Sequence, residues 1–270
     1  MNFSHLYDYS HIRFILTSLA LLALLLVIIE IGYRAGKRHA KRNVENSALD
    51  IGTIQAAILG LLGLLLAFTY SSASTRMETR KQMIVSEAND IGTAFLRADL
   101  LPEPQRSALR NALRDYANTR IIEDDVAADP EKSRAAIANS EAILSRLWPI
   151  ATDLAATGTR PFTPADALVL QSLNAVIDTH SSRLAAGRDH LPPAILALLL
   201  FVAFISVGIS GYACGLAGHH NLLLTTMLAL LITAVMLTIA DLDSPHAGLL
   251  RASQQSLRDL TSSLNTTQPH

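Results

Sequence analysis

The residues whose types and spacing could do chemistry lie along one apolar segment, residues 54–70, and at its two ends. One helical face of this segment holds Gln55, Leu62, Leu66 and Thr69. Leucine rings with a polar residue at each end form hydrophobic constrictions in channels, and such constrictions gate by dewetting. The spacing therefore predicts a pore-lining stripe. The alternative is that these leucines face lipid or neighbouring helices.

A second face of the same segment carries small residues and predicts close helix packing. Its members are spaced four, three and four residues apart and are Ala56, Gly60, Gly63 and Ala67. Small residues let helix backbones approach closely in lipid, where hydrophobicity cannot drive association. Further along the chain, Gly211 and Gly215 match the same close-packing motif. We expect all six residues at helix contacts, within one subunit or between subunits.

Enzymatic constellations are absent from the sequence. It has no nucleophile elbow, no zinc-protease motif, no phosphate-binding loop and no Cys/His metal spacing. We therefore predict no catalytic residue, no metal site, no cofactor and no enzymatic activity. The net charge of −1 gives no general attraction to nucleic acid.

Glu30 near the end of the first apolar run is expected to pair with Arg34, one helical turn on.

Four apolar runs predict an all-α integral membrane protein, and the lipid bilayer is therefore one of its predicted partners. The runs are residues 14–31, 54–70, 194–216 and 221–240. A bilayer core of roughly 30 Å needs about 20 apolar residues in a helix, and each run meets or nearly meets that length. The runs are apolar all round, whereas a surface helix of a soluble protein has one polar face. Only 17% of the residues are charged, against about 25% in a soluble domain.

The second run predicts a helix that continues beyond the membrane as a stalk. A continuous helix over residues 51–101 would be about 75 Å long at 1.5 Å per residue, and Pro102 would end it. Along the stalk, apolar residues follow a heptad-like seam that includes Ile84, Ala88, Ile91 and Phe95. If the stalk mediates oligomerisation, these four side chains are expected to carry the contact between subunits.

The segment between the second and third spans predicts a helical extramembrane domain. Helices are expected over residues 103–126 and 131–147 and from residue 164 through 184, and the last two follow the N-cap pairs Asp129-Pro130 and Thr163-Pro164. The chain then divides into five parts. They are the first span with its basic loop (1–50), the second span and stalk (51–101), the helical domain (102–191), the third and fourth spans (192–241) and a short amphipathic tail (242–270).

Several segments resemble the bacterial bestrophin-like membrane protein family. The residues that carry the resemblance lie mainly in the second span and stalk, with further matches before and after them. They are residues 60–68, Arg76, Arg80, 87–89, 91–92 and 96–102, then 30–33, Tyr116, Arg120, 173–174, Asp178, Arg183, 211–212, 241–243, Pro245 and 248–251.

The resemblance implies four spans, a helical domain and a relation to bestrophins, which are pentameric anion channels lined by the second span. The resemblance therefore implies a homo-oligomer that conducts inorganic anions. Arg76 and Arg80 match the bestrophin arginine motif and would attract anions at one mouth of the pore. The alternative function is a non-conducting membrane scaffold or signalling protein whose helical domain binds a partner.

The basic loop and the family resemblance imply opposite orientations of the chain in a bacterial inner membrane. Residues 33–50 hold five Lys or Arg, and the positive-inside rule places this loop in the cytoplasm and the large domain outside. The resemblance to bestrophins implies the opposite, because bestrophins keep the domain after the second span in the cytoplasm.

Overall fold

The computed structural model describes residues 4–41, 48–122, 126, 129–156, 161–244 and 252–266. Within these residues the chain is mostly α-helical and contains no strand. A short 3₁₀ helix, Ala98–Leu100, extends the second helix. In chain order the long helices are α1 (Ser4–Ala40), α2 (Ala48–Arg97), α3 (Gln105–Thr119), α4 (Pro130–Ala156), α5 (Pro164–Arg188), α6 (Pro193–Leu216), α7 (Leu222–Asp243) and α8 (Gln255–Thr266).

Four helical segments are long and apolar enough to cross a membrane. They lie in α1, in α2, in the stretch Pro164–Leu216 that contains α6, and in α7. The fold class predicted from the sequence is therefore confirmed: an all-α protein with four apolar helices. The long second helix is also confirmed, because α2 alone has 50 residues.

Contacts divide the chain into two compact units. The first comprises Met1–Thr75 and His190–Ser244 and is called the span unit below. The second comprises Arg76–Asp189 and Pro245–His270 and is called the helical domain. The helical domain thus begins inside α2, some 26 residues before the start at residue 102 that was predicted from the prolines.

Glycines allow α1 and α6 to pack with their backbones in contact. A methyl group on Gly211 would overlap the carbonyl oxygen of Ile29, and one on Gly215 would overlap that of Tyr33. Both contacts join residues whose numbers differ by 182, so the two chain segments run in the same direction and the helices are parallel. On the opposite side of the contact, Gly32 lies against the carbonyl oxygen of Gly208 in the same way. Close packing of this kind gains van der Waals contact in lipid.

The helical domain has an apolar core to which the stalk part of α2 contributes directly. Ile84, Ala88, Ile91 and Phe95 are all buried there. The predicted heptad-like seam therefore exists as an apolar helix face, but it packs against the chain's own helices. Because these side chains are covered within one chain, they cannot carry the subunit contact that the sequence led us to expect for an oligomerising stalk.

The starts of α4 and α5 follow the capping chemistry expected from the sequence. The Asp129 carboxylate accepts hydrogen bonds from the backbone N–H groups of Glu131 and Lys132, at 2.9 and 3.3 Å. Thr163 and Asp166 form a reciprocal capping box at the start of α5. Such caps satisfy N–H groups that a helix cannot pair internally, and each contributes about 1 kcal/mol. Both predicted N-cap pairs are confirmed.

The C-terminal helix α8 is part of the core of the helical domain. Leu257 and Leu264 are buried and belong to the same cluster as Leu109 and Leu113 of α3. The Arg114 guanidinium adds two hydrogen bonds to the Leu264 carbonyl oxygen, at 3.2 and 3.1 Å. The amphipathic tail predicted as a separate part therefore packs as an integral helix of this unit.

Candidate functional site

The predicted leucine stripe of α2 faces the other helices of the span unit. Leu62 is 2% exposed, Leu66 is 9% exposed and Thr69 is 6% exposed. The Gln55 side-chain amide, one helical repeat earlier, donates a hydrogen bond to the hydroxyl oxygen of Ser210 in α6 at 3.1 Å. A side chain that is covered within one chain cannot face a central axis between chains. Burial therefore favours the alternative that was left open, in which these leucines contact neighbouring helices.

The small-residue face of α2 lies on the opposite side and is open. Ala56, Gly60, Gly63 and Ala67 are all exposed. A methyl group built on Gly60 or Gly63 would meet no atom within 4 Å. Within a single chain these four residues therefore do not pack a helix, unlike Gly211, which lies against α1. Among the residues that the structure describes, nothing packs against Gly60 or Gly63 on this face.

Large apolar side chains flank the open face, and those on one side form a ridge. Ile54, Leu61 and Phe68 recur every seven residues and are about half exposed or more. At 100° per residue they lie about a quarter-turn from Gly60. The open face is therefore uncharged, with small residues at its centre, an apolar ridge along one border and Tyr70, 45% exposed, along the other.

The two arginines that follow the second span hold the end of α5 within the helical domain. The Arg76 guanidinium pairs with the Asp189 carboxylate at 3.0 Å. Arg80 is buried and donates hydrogen bonds to the carbonyl oxygens of Ala186 and Asp189, at 3.2 and 2.8 Å. Cations near the last carbonyls of a helix are stabilised by its dipole. These contacts give both arginines a structural role and do not favour the predicted role in attracting anions.

A buried ionic cluster joins three helices of the helical domain. Its centre is Glu87 of α2, which is 0% exposed. The Arg120 guanidinium, 1% exposed at the end of α3, contacts this carboxylate at 2.6 Å, and Arg183 of α5 pairs with the other carboxylate oxygen. A buried charge is tolerated only when it is paired and hydrogen-bonded. With one carboxylate and two guanidinium groups, the cluster carries a net charge of +1.

Tyr116 and His180 complete this cluster. The Tyr116 hydroxyl donates to the Glu87 carboxylate at 2.9 Å, and its oxygen lies 2.9 Å from His180 Nδ1. Since the phenol has one proton, Nδ1 must supply the proton of the second contact. Nε2 is then a buried ring nitrogen with no hydrogen-bond partner among the described residues. Burial, and next the charge of Glu87, raise the pKa of Tyr116 above its usual range, so the phenol stays protonated.

A second polar cluster lies near the end of α1 in the span unit. Glu30 pairs with Arg34 at 2.6 Å, which confirms the pairing expected from their spacing. The other carboxylate oxygen of Glu30 lies 3.3 Å from His220 Nε2 in the loop between α6 and α7. No group of three or more His, Cys, Asp or Glu that could hold a metal ion occurs in the part of the chain that the structure describes.

Comparison with protein families decides what kind of protein this is. Residues 16–257 match the bestrophin-like domain, which is most of the chain. The chain belongs to the bestrophin-like family. This confirms the resemblance seen in the sequence. No match is found among curated proteins.

Solved structures of bacterial bestrophin homologues have the same fold as this bestrophin-like protein. One from Klebsiella pneumoniae, a single-residue variant, is 12% identical, with a TM-score of 0.64 over 93% of this chain and 99% of that chain. Another from Klebsiella pneumoniae, solved by Zn-SAD phasing, is 14% identical, with a TM-score of 0.61 over 90% of this chain and 98% of that chain. A variant of a protein described only as a membrane protein is 12% identical, with a TM-score of 0.64 over 91% of this chain and 98% of that chain.

The buried ionic cluster of this bestrophin-like protein was not predicted from the sequence as a unit. Glu87, Tyr116, Arg120 and Arg183 entered only as positions that match the family. One signal could have found its centre, because Glu87 lies on the apolar seam between Ile84 and Ile91. A carboxylate on a buried helix face requires a partner. Which partners it takes depends on the packing of α3 and α5, and helical spacing along α2 does not contain that information.

Proposed function

We propose that this bestrophin-like protein forms a homo-oligomeric channel that conducts anions along an axis lined by α2. The observation that carries the proposal is the open face of α2 around Gly60 and Gly63. It lies opposite the buried Leu62 and Leu66 and therefore points away from the chain's own helices. In a ring of subunits, this face is the one available to a central pathway or to a neighbouring copy.

The proposed lining differs from the stripe expected from the sequence. Small residues such as Gly60, Ala67 and Ser71 would leave a wider path than rings of leucine, and Ser71 would offer a hydroxyl near one end. The ridge of Leu61 and Phe68 would contact the adjacent subunit. The family resemblance is what supports a preference for anions. Arg76 and Arg80 do not add to it, because both side chains bind the end of α5.

The test is ion flux through purified protein in liposomes, with chloride compared against potassium. Gly60→Leu adds a side chain to the open face without a clash inside the chain, because no atom lies within 4 Å of the new methyl position. We expect flux to fall to near that of empty liposomes. The matched control is Ala234→Leu, which enlarges an exposed small residue of α7 and should leave flux unchanged.

Leu62→Ala tests which of the two faces of α2 lines the ion pathway. If Leu62 forms the constriction, its truncation should raise flux. If it is buried as described, the change creates a cavity that costs roughly 2–5 kcal/mol of stability and does not raise flux per folded oligomer. Silence of the wild-type protein, with the oligomer demonstrated by cross-linking in the same liposomes, would reject conduction.

A scaffold function is the second candidate, and exposed apolar residues of the helical domain favour it. Leu96 is 70% exposed, Leu100, four residues further along the same helical stretch, is 49% exposed, and Phe162 is 55% exposed. Exposed apolar side chains outside a membrane are typical of protein-binding surfaces when they cluster. Under this alternative, Leu96→Asp would abolish binding of a partner protein and leave thermal stability unchanged. An oligomer that conducts chloride, with the same flux after Leu96→Asp, would count against the scaffold function.

A further inference from the structure

The end of α1 carries a basic face. Arg34, Lys37, Arg38 and Lys41 are spaced three, one and three residues apart, which places them within an arc of about 100° on the helix. All four are exposed. The glycines that pack α1 against α6, including Gly36, lie on the opposite side of the helix. The basic face therefore points away from the chain's own span unit.

The basic face lies where the membrane surface must be. The apolar run of α1 ends at Ile31, which is itself exposed. The residues from Arg34 to Lys41 lie about 5 to 15 Å beyond Ile31 along the helix axis at 1.5 Å per residue. Headgroups occupy roughly 5–8 Å on each side of the hydrocarbon core. In a helix the side chains tilt toward the N-terminus, and here that direction is back toward the membrane. Long basic side chains so placed reach the headgroups.

Little negative charge opposes this face. Glu30 lies on the same side of α1 but is already paired with Arg34 and close to His220. The neighbouring loop between α6 and α7 contains no Asp or Glu, and none occurs between Asp189 and Asp241 in the sequence. Residues 34–50 together carry five Lys or Arg and two carboxylates. The segment that follows the apolar run of α1 therefore has a net positive charge.

We propose that Lys37, Arg38 and Lys41 form a binding surface for anionic phospholipid headgroups. The occupant follows from charge and position: a dense layer of phosphate groups lies at this depth, and three exposed cations face it. Clusters of Lys and Arg directly after a span bind anionic lipids in preference to zwitterionic ones, because the negative surface potential of anionic lipids attracts each cation and each one adds to the binding free energy. One cation–π contact orients a member of this surface: the Lys37 ammonium lies 5.8 Å from the centroid of the Tyr33 ring. The inference does not depend on conduction.

The test measures lipid binding to the full chain purified in mild detergent. Phosphatidylglycerol and phosphatidylcholine are titrated separately, and bound lipids are counted by native mass spectrometry. The wild-type protein should bind phosphatidylglycerol at least tenfold more tightly. The triple variant Lys37→Gln/Arg38→Gln/Lys41→Gln should lose most of this preference, since each charge contributes roughly fivefold. Binding of phosphatidylcholine should not change.

The control removes the same three charges elsewhere. Lys132→Gln/Arg134→Gln/Arg146→Gln alters three exposed positions of α4 in the helical domain and should keep the wild-type preference. A second measurement needs no variant: because the interaction is electrostatic, about 0.5 M salt should greatly reduce the preference of the wild-type protein. Equal binding of both lipids by the wild-type protein would overturn the proposal. An unchanged preference in the α1 triple variant would also overturn it.

Discussion

Replacement of Glu87 by glutamine tests the buried ionic cluster of the helical domain. The amide keeps the shape of the side chain but removes the one negative charge between Arg120 and Arg183. The cluster changes from a net charge of +1 to +2, and both guanidinium groups remain largely buried. Removal of one partner from a buried ion pair costs about 3–5 kcal/mol, because an uncompensated charge is left behind. For a chain of this size, the unfolding midpoint should fall by roughly 6–20 °C.

The charge balance also predicts an order among variants. Arg120→Gln leaves Glu87 paired with Arg183, so the cluster becomes neutral. Its cost should be nearer that of one charged hydrogen bond, about 1.5–3 kcal/mol. Loss of the single carboxylate is therefore expected to destabilise the protein more than loss of one of the two arginines.

The sequence offers a convenient probe and a matched control for this measurement. Trp148 is the only tryptophan and lies in α4 of the helical domain, so its fluorescence reports the thermal unfolding of this unit. Glu78→Gln makes the same charge change on the same helix at an exposed position and should alter stability by about 0.5 kcal/mol or less. Equal midpoints for Glu87→Gln and Glu78→Gln would refute the reasoning. A larger loss in Arg120→Gln than in Glu87→Gln would refute the charge balance.

Two further predictions concern packing in the two units. Gly211→Ala places a methyl group on the carbonyl oxygen of Ile29, so α1 and α6 must separate. A loss of about 1–3 kcal/mol is expected, visible as a lower thermal midpoint in detergent, while Gly52→Ala, with no neighbouring atom within 4 Å, should be neutral. Gln254→Ala removes two hydrogen bonds, of 2.9 and 2.8 Å, to the backbone of Ile122. It should expose α8 to limited proteolysis several-fold sooner than in the wild-type protein, and an unchanged cleavage rate would contradict this anchoring role.

The sequence predicted what depends on neighbouring residues along one helix. The four apolar helices follow from run length, and the starts of α4 and α5 follow from capping residues such as Asp129 and Thr163. The Glu30–Arg34 pair follows from spacing by one turn. In each case the interacting groups lie within a few residues, so helical geometry alone brings them together.

Which face of α2 is covered could not be predicted in the same way. Leu62 and Gly60 lie on opposite faces of one apolar helix, and in lipid neither face is driven inward by hydrophobicity. The Gln55–Ser210 hydrogen bond joins residues 155 positions apart, and the partners of Glu87 lie 33 and 96 positions away. Such choices depend on how distant helices meet, and the periodicity of a single helix does not contain that information.

The burial of Leu257 and Leu264 has a consequence for biogenesis. The core of the helical domain needs α8, yet about 75 residues, including α6 and α7, separate the end of α5 from Leu264. At roughly 5–20 residues per second, the ribosome needs some 4–15 s to supply them. During that time the newly made α3 exposes the apolar surface that α8 will cover. Completion of the domain must therefore follow synthesis of the last two spans, and a message truncated before residue 255 would yield a membrane-inserted chain that displays this surface to chaperones and proteases.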